Sequence, residues 1–135
     1  MNKDILTELN NSQRQAVKCL NGPMMVIAGA GSGKTRVLTY RIAYLLSEGI
    51  DPFNVLALTF TNKAAREMKQ RIADLVQSNE ARNVWMGTFH SVFAKILRIE
   101  GHLLGYPSNY TIYDTDDSKS LLKIILKEKE LDIKE

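Results

Sequence analysis

Residues Ala28-Gly29-Ala30-Gly31-Ser32-Gly33-Lys34-Thr35 place three glycines, a lysine and two hydroxyls within eight positions. That combination suits the holding of phosphate. Glycines let a loop curl so that successive backbone N–H groups point at anionic oxygens. Where the loop runs into a helix, the unpaired N–H groups and dipole of the helix start add to the attraction. Lys34 supplies a mobile positive charge for β and γ phosphates. The Thr35 hydroxyl is sized to ligate Mg²⁺, with phosphate oxygens and waters completing the shell. The string fits the phosphate-loop pattern, with Ala28 where the strictest form has glycine. Such a loop specifies nucleotide binding and leaves the reaction open, because many unrelated enzymes use it.

The flanking elements must hold the loop's two ends. Met24 to Ala28 is a short apolar run of strand length. From Lys34 to about Ser47, Leu38, Ile42 and Leu45 recur at helical spacing, and Gly49 is placed to end the helix. Upstream, Asn10 or Asn11 caps a helix to about Leu20, which Asn21-Gly22-Pro23 ends. Downstream, Val55 to Phe60 reads as a second buried strand and Asn83 to Met86 as a third. Between them Asn62 to Val76 is amphipathic, with Ala65, Met68, Ile72 and Leu75 on one side. His90 to Leu104 carries the stripe Val92, Ile96, Ile99 and Leu103. Tyr110 to Tyr113 is a further candidate strand, and Asp114 or Thr115 caps a last helix through about Lys129. Nearly apolar strands each followed by a helix predict an α/β fold with a parallel sheet covered on both faces.

A chain of 135 residues suits one compact domain. Its hydrophobic and charged fractions, 44% and 24%, are those of a soluble globular protein. No apolar run approaches the roughly 20 residues that cross a bilayer, and the start lacks the layout of a secretory signal. The single cysteine, Cys19, is read as a small buried hydrophobe; it fits a reducing, cytoplasmic setting. No Cys/His spacing suggests a metal cage. The formal charge of +3 is unevenly spread: Phe60 to Glu100 holds seven basic residues against four acidic ones. A basic middle is compatible with a polyanionic partner, although lysines and arginines on helices are commonly a solvated face.

Four stretches in order resemble superfamily 1 DNA helicases of the UvrD/PcrA/Rep group. Leu9-Asn10-Asn11-Ser12-Gln13-Arg14-Gln15-Ala16-Val17 is similar to that family's glutamine motif, and the loop continues in the family's form as Gly33-Lys34-Thr35-Arg36-Val37-Leu38. Thr59-Phe60-Thr61-Asn62-Lys63-Ala64-Ala65-Arg66-Glu67-Met68 resembles motif Ia, the most diagnostic string in the chain, and Thr88-Phe89-His90-Ser91 resembles motif Ib. The resemblance implies a RecA-like phosphate-loop domain with ATP and Mg²⁺ as cofactors. By it, Gln13 reads the adenine edge, for which an amide that donates and accepts is suited. Arg36 lies against the nucleotide; the other reading of Arg36 is a surface or ion-paired arginine. Ala28 to Thr35 wrap the phosphates, and Lys34 and Thr35 serve catalysis, Thr35 as the metal ligand. Phe60, Thr61, Asn62, Lys63, Thr88, Phe89 and His90 are the implied nucleic-acid contacts, aromatic faces stacking on bases and hydroxyls or helix starts holding phosphates. Core packing for Phe60, solvation for Lys63 and a structural hydrogen bond for His90 are the alternatives.

The implied organisation is a partial motor domain over residues 1–110 and the start of a helical insertion over 111–135. The family's acidic DExx motif and second motor domain are expected beyond Glu135. Asp116-Asp117, the only adjacent carboxylate pair, reads as the first turn of a helix, where it complements the dipole. The expectation is an ATP-binding piece of a 3′-to-5′ DNA helicase of repair or replication. Its partners would be single-stranded DNA and duplex junctions, with no membrane. Alone it would lack useful hydrolysis and would be prone to dimerise through exposed sheet edges. The competing readings are a naturally short, non-catalytic nucleotide or single-strand binding module, a phosphate-loop kinase, and part of a helicase–nuclease subunit.

Overall fold

The computed structural model describes residues 5–76 and 79–131. It divides into two compact units, Met1–Ala94 and Lys95–Glu135.

The first unit is built on helix α2 (Lys34–Ser47). One side of α2 presents Val37 and Tyr40 to Leu6, Leu9 and Val17, the last of these from helix α1 (Asn11–Lys18). The other side presents Ile42 and Leu46 to Val55, Ala57, Met68, Ile72, Ala81 and Val84. Serving two clusters, α2 buries more positions than the three that periodicity picked out. Leu38, one of those three, falls between the faces and is 39% exposed. Arg41 fastens the first interface further, its Nη1 donating to Ala16 O at 2.8 Å.

Among the described residues the sheet has two parallel strands, β1 (Leu56–Thr59) and β2 (Trp85–Thr88), in register Leu56↔Trp85 through Thr59↔Thr88. Helix α3 (Asn62–Val76) makes the crossover between them, with Met68 and Ile72 fully buried. A parallel pair needs such a crossover. α3 falls where the sequence places it and β1 lies within the expected Val55 to Phe60, but β2 begins two residues later than the expected Asn83 to Met86, because Asn83 closes a 3₁₀ turn. Cover on both faces is not what forms: Ala57 is buried while its neighbour Leu56 is half exposed.

Met24–Ala28 corrects another expectation. The run is not part of the sheet, and Met25 and Ile27 are 83% and 89% exposed. An apolar run supplies strand propensity, but a strand exists only through a paired neighbour, and no described residue pairs with this one. Cys19 is likewise exposed, not buried, because it is the C-cap of α1 and lies past the helix's packed face.

Helix α4 (Phe89–Glu100) begins in the first unit, where Val92 is buried. In the second unit it passes into a 3₁₀ turn, Gly101–Leu104, which Gly105 ends in a left-handed conformation. The expected strand at Tyr110–Tyr113 does not form. Helix α5 (Thr115–Glu128) does, capped by Asp114, whose side chain accepts from the N–H groups of Asp116 and Asp117. Asp116 and Asp117 therefore occupy a first helical turn. Of the segment read as an insertion, residues 132–135 lie outside the described residues. No helix among the described residues is long and apolar enough to cross a membrane.

Candidate functional site

The glycine-rich loop leads into α2 through Gly33, whose φ of 89° is left-handed. A side chain there would be strained, and its Cβ would stand 2.8 Å from Gln13 Nε2. Having no side chain, Gly33 also supplies no cap, so the first-turn N–H groups of α2 have no capping side chain. Gly29 is not left-handed. Its role in the loop is its carbonyl, which accepts from Ser32 Oγ at 2.6 Å and Lys34 Nζ at 2.7 Å. The Lys34 ammonium also donates to Ala28 O at 2.8 Å. A cation therefore lies in the fold of the loop, beside an uncapped helix start. Positive charge and free N–H groups aligned in this way receive an anion. Ala30, Gly31, Ser32, Lys34 and Thr35 are exposed.

Gln13 reaches this loop from α1. Its Oε1 accepts from Asn10 N at 3.2 Å and its backbone N–H donates to Asn10 Oδ1 at 2.9 Å, a reciprocal capping box that settles Asn10 as the cap. Its Nε2 donates to Ser32 O at 3.2 Å. Arg36 sits in the first turn of α2, where Nη2 donates to Glu8 Oε2 at 3.0 Å and Cζ lies 5.4 Å from the centre of the Tyr40 ring. The Tyr40 hydroxyl donates to the same Glu8 oxygen at 2.5 Å. Burial, then the bond to Glu8, pushes the Tyr40 hydroxyl above the ordinary tyrosine range. The Tyr40 hydroxyl, and secondarily Glu8, raises Arg36. Glu8 and Tyr40 were not singled out from sequence. Tyr40 had a signal, one helical turn beyond Arg36; Glu8 had none.

The second cluster lies at the carboxyl ends of β1 and β2. Thr59 and Thr88 are register partners, so Phe60 and Phe89 follow side by side, ring centres 5.4 Å apart and planes at 44°. Phe60 is 92% exposed, so core packing is not its role. Both strands hand over to helices through threonines. Thr61 Oγ1 accepts from Ala64 N at 3.1 Å at the start of α3, and Thr88 Oγ1 accepts from Ser91 N at 3.2 Å at the start of α4. The Thr88 hydroxyl donates to Ser91 Oγ, and that hydroxyl in turn donates to Thr88 O, so both protons are used locally. This tight handover needs Gly87, where a Cβ would stand 2.7 Å from Ser91 Oγ and 3.0 Å from Val92 Cγ2. Asn62, Lys63 and His90 are exposed beside the two aromatics. The edge thus offers an apolar ring surface next to two helix starts and a lysine, a combination able to stack on flat rings and attract phosphate.

A family model for the UvrD/REP helicase N-terminal domain matches residues 9–135. Among curated proteins, the ATP-dependent DNA helicase PcrA of Staphylococcus aureus is 53% identical over 131 residues, covering 96% of this chain. The protein of the same name from Staphylococcus epidermidis is 50% identical over the same length. The chain spans 18% of the length of these relatives.

Proposed function

Because the chain belongs to the UvrD/REP helicase N-terminal domain family, we propose that it is the nucleotide-binding, single-strand-contacting portion of an ATP-dependent 3′-to-5′ DNA helicase motor. The fold is read as part of a RecA-like phosphate-loop domain over residues 1–110, with residues 111–135 opening a helical insertion. Backbone amides between Ala28 and Thr35 hold the phosphates, and Lys34 exchanges the carbonyls of Ala28 and Gly29 for phosphate oxygens. The Thr35 hydroxyl holds the magnesium ion. Gln13 and Arg36 face the base. When bound, Mg–ATP supplies the free energy of phosphoanhydride hydrolysis.

The residues fit that cofactor on two counts: the start of α2 is uncapped, and Lys34 already donates within the loop. The proposed setting is cytoplasmic DNA repair or replication, acting on single strands and duplex junctions. We further propose that these 135 residues alone bind nucleotide without useful hydrolysis. The adjacent carboxylates Asp116 and Asp117 belong to the first turn of α5, which supports that view.

The observation that carries the DNA-contacting reading is the Phe60–Phe89 pair, aligned by the parallel register at the sheet's carboxyl edge. Ligands of open parallel sheets gather at that edge. Phe60 and Phe89 stack on bases, while Thr61, Asn62, Lys63 and His90 approach the sugar–phosphate chain. Thr88, buried and bonded to Ser91, holds the start of α4 instead of donating to a phosphate. Stacking does not depend on which base is present, which suits a motor that tracks any sequence. Fluorescence anisotropy with labelled oligothymidine tests this. Phe60→Ala is expected to weaken binding by about 1–3 kcal/mol, the contribution of one stacked base. Equal affinity for both proteins would contradict the reading.

A further inference from the structure

Glu8, Arg36 and Tyr40 form a closed triangle. One oxygen of Glu8 accepts from both the Arg36 guanidinium, at 3.0 Å, and the Tyr40 hydroxyl. The same guanidinium lies against the Tyr40 ring, 5.4 Å from its centre. Tyr40 is buried in the cluster that joins α1 to α2, so the ring is a fixed surface and the hydroxyl a fixed donor. Glu8 and Arg36 are each about half exposed. An arginine at such a surface ordinarily samples many rotamers, and holding its planar fork in place lowers the ordering cost of using it. A cavity of about 290 Å³ opens beside the triangle, lined by Arg36, Thr39, Tyr40, Arg71, Asp74 and Leu75.

We propose that Glu8 and Tyr40 are positioning residues that fix the Arg36 guanidinium for contact with the base of the bound nucleotide, so that they set base affinity and leave phosphate affinity alone. This rests on the nucleotide reading of the loop. The division of labour follows from placement. Lys34, Ser32 and Gly29 contact one another within the loop, whereas Glu8 bonds to both Arg36 and Tyr40 on α2. Glu8 also lies five residues before Gln13, so one short segment brings Gln13 to the loop and Glu8 to Arg36 in the first turn of α2.

Calorimetric titration of the 135-residue chain with ATP and, separately, with inorganic tripolyphosphate reads the two affinities. Glu8→Ala is expected to weaken ATP by about threefold to fivefold, the scale of an exposed charged pair, and to leave tripolyphosphate unchanged. Tyr40→Phe keeps the ring and removes the hydroxyl, and should give a smaller loss in the same direction. Should Glu8→Ala fail to fold, Glu8→Gln keeps the shape and removes the charge, and is expected to give a smaller loss confined to ATP. A parallel loss for both ligands would overturn the inference, because Glu8 would then act on the loop or the fold. Tighter binding of either ligand would also overturn it, because the carboxylate would be a competitor. Binding of neither ligand by the unmodified chain would remove the nucleotide reading and this inference together; binding with an unchanged ratio in the variants removes the inference alone.

Discussion

The glycine-rich loop and the tips of β1 and β2 are all short turns into helices, yet they are held in different ways. The strand tips are fixed from outside. A parallel ladder sets Thr59 against Thr88, α3 packs Met68 and Ile72 beneath, and threonine side chains cap both helices. The loop is fixed from within. The run before it has no ladder partner among the described residues, its helix start has no side-chain cap, and its shape rests on Lys34 and Ser32 donating to loop carbonyls and on Gln13 reaching across from α1. The difference suits the two tasks proposed. A surface that stacks bases must keep its rings aligned without a ligand, whereas a loop that wraps phosphates gains its partners on binding.

Substitutions that strike one region should leave the other intact. The largest effect is expected at Ile72, which is fully buried under the sheet. Ile72→Ala should cost about 2–5 kcal/mol in urea unfolding, the usual range for a large-to-small change in a core. A cost below about 1 kcal/mol would mean that α3 does not anchor the strand tips. Gly33→Ala comes next. It forces a side chain into a left-handed position and pushes Gln13 Nε2 aside, at an expected cost of about 1–2 kcal/mol in thermal or urea unfolding. A neutral result would show that the loop does not need that conformation. The smallest loss, about 1 kcal/mol, is expected from Thr61→Ala, which removes the cap of α3. Hydrogen exchange at Ala64 should quicken in that variant while the loop amides keep their rates. A change confined to the loop would invert the comparison.

The same contrast separates what the sequence made legible from what it did not. Within Asn62–Val76, the period of α3 coincides with burial at Met68 and Ile72 in one core, while Leu75 packs against the other cluster. α2 was readable in extent but not in face. It packs two clusters, and burial at Val37, Tyr40, Ile42 and Leu46 follows two neighbours instead of one stripe. Met24–Ala28 has the composition of a strand, but pairing is a long-range property that five residues do not encode. In the candidate site, residues with a motif could be named in advance, and the structure brings Gln13 to the loop and Phe60 to Phe89. Glu8 could not be named, because its part depends on the fold returning it to Arg36 from 28 positions away.

If the loop between Ala28 and Thr35 receives a triphosphate through its amides and Lys34, a fluorescent ATP analogue should bind the unmodified chain saturably and be displaced by unlabelled ATP. Lys34→Ala is expected to weaken that binding at least about tenfold, since one charge-assisted hydrogen-bond donor is worth roughly that much. Equal affinity in the two proteins, with folding intact in both, would contradict that reading of the loop.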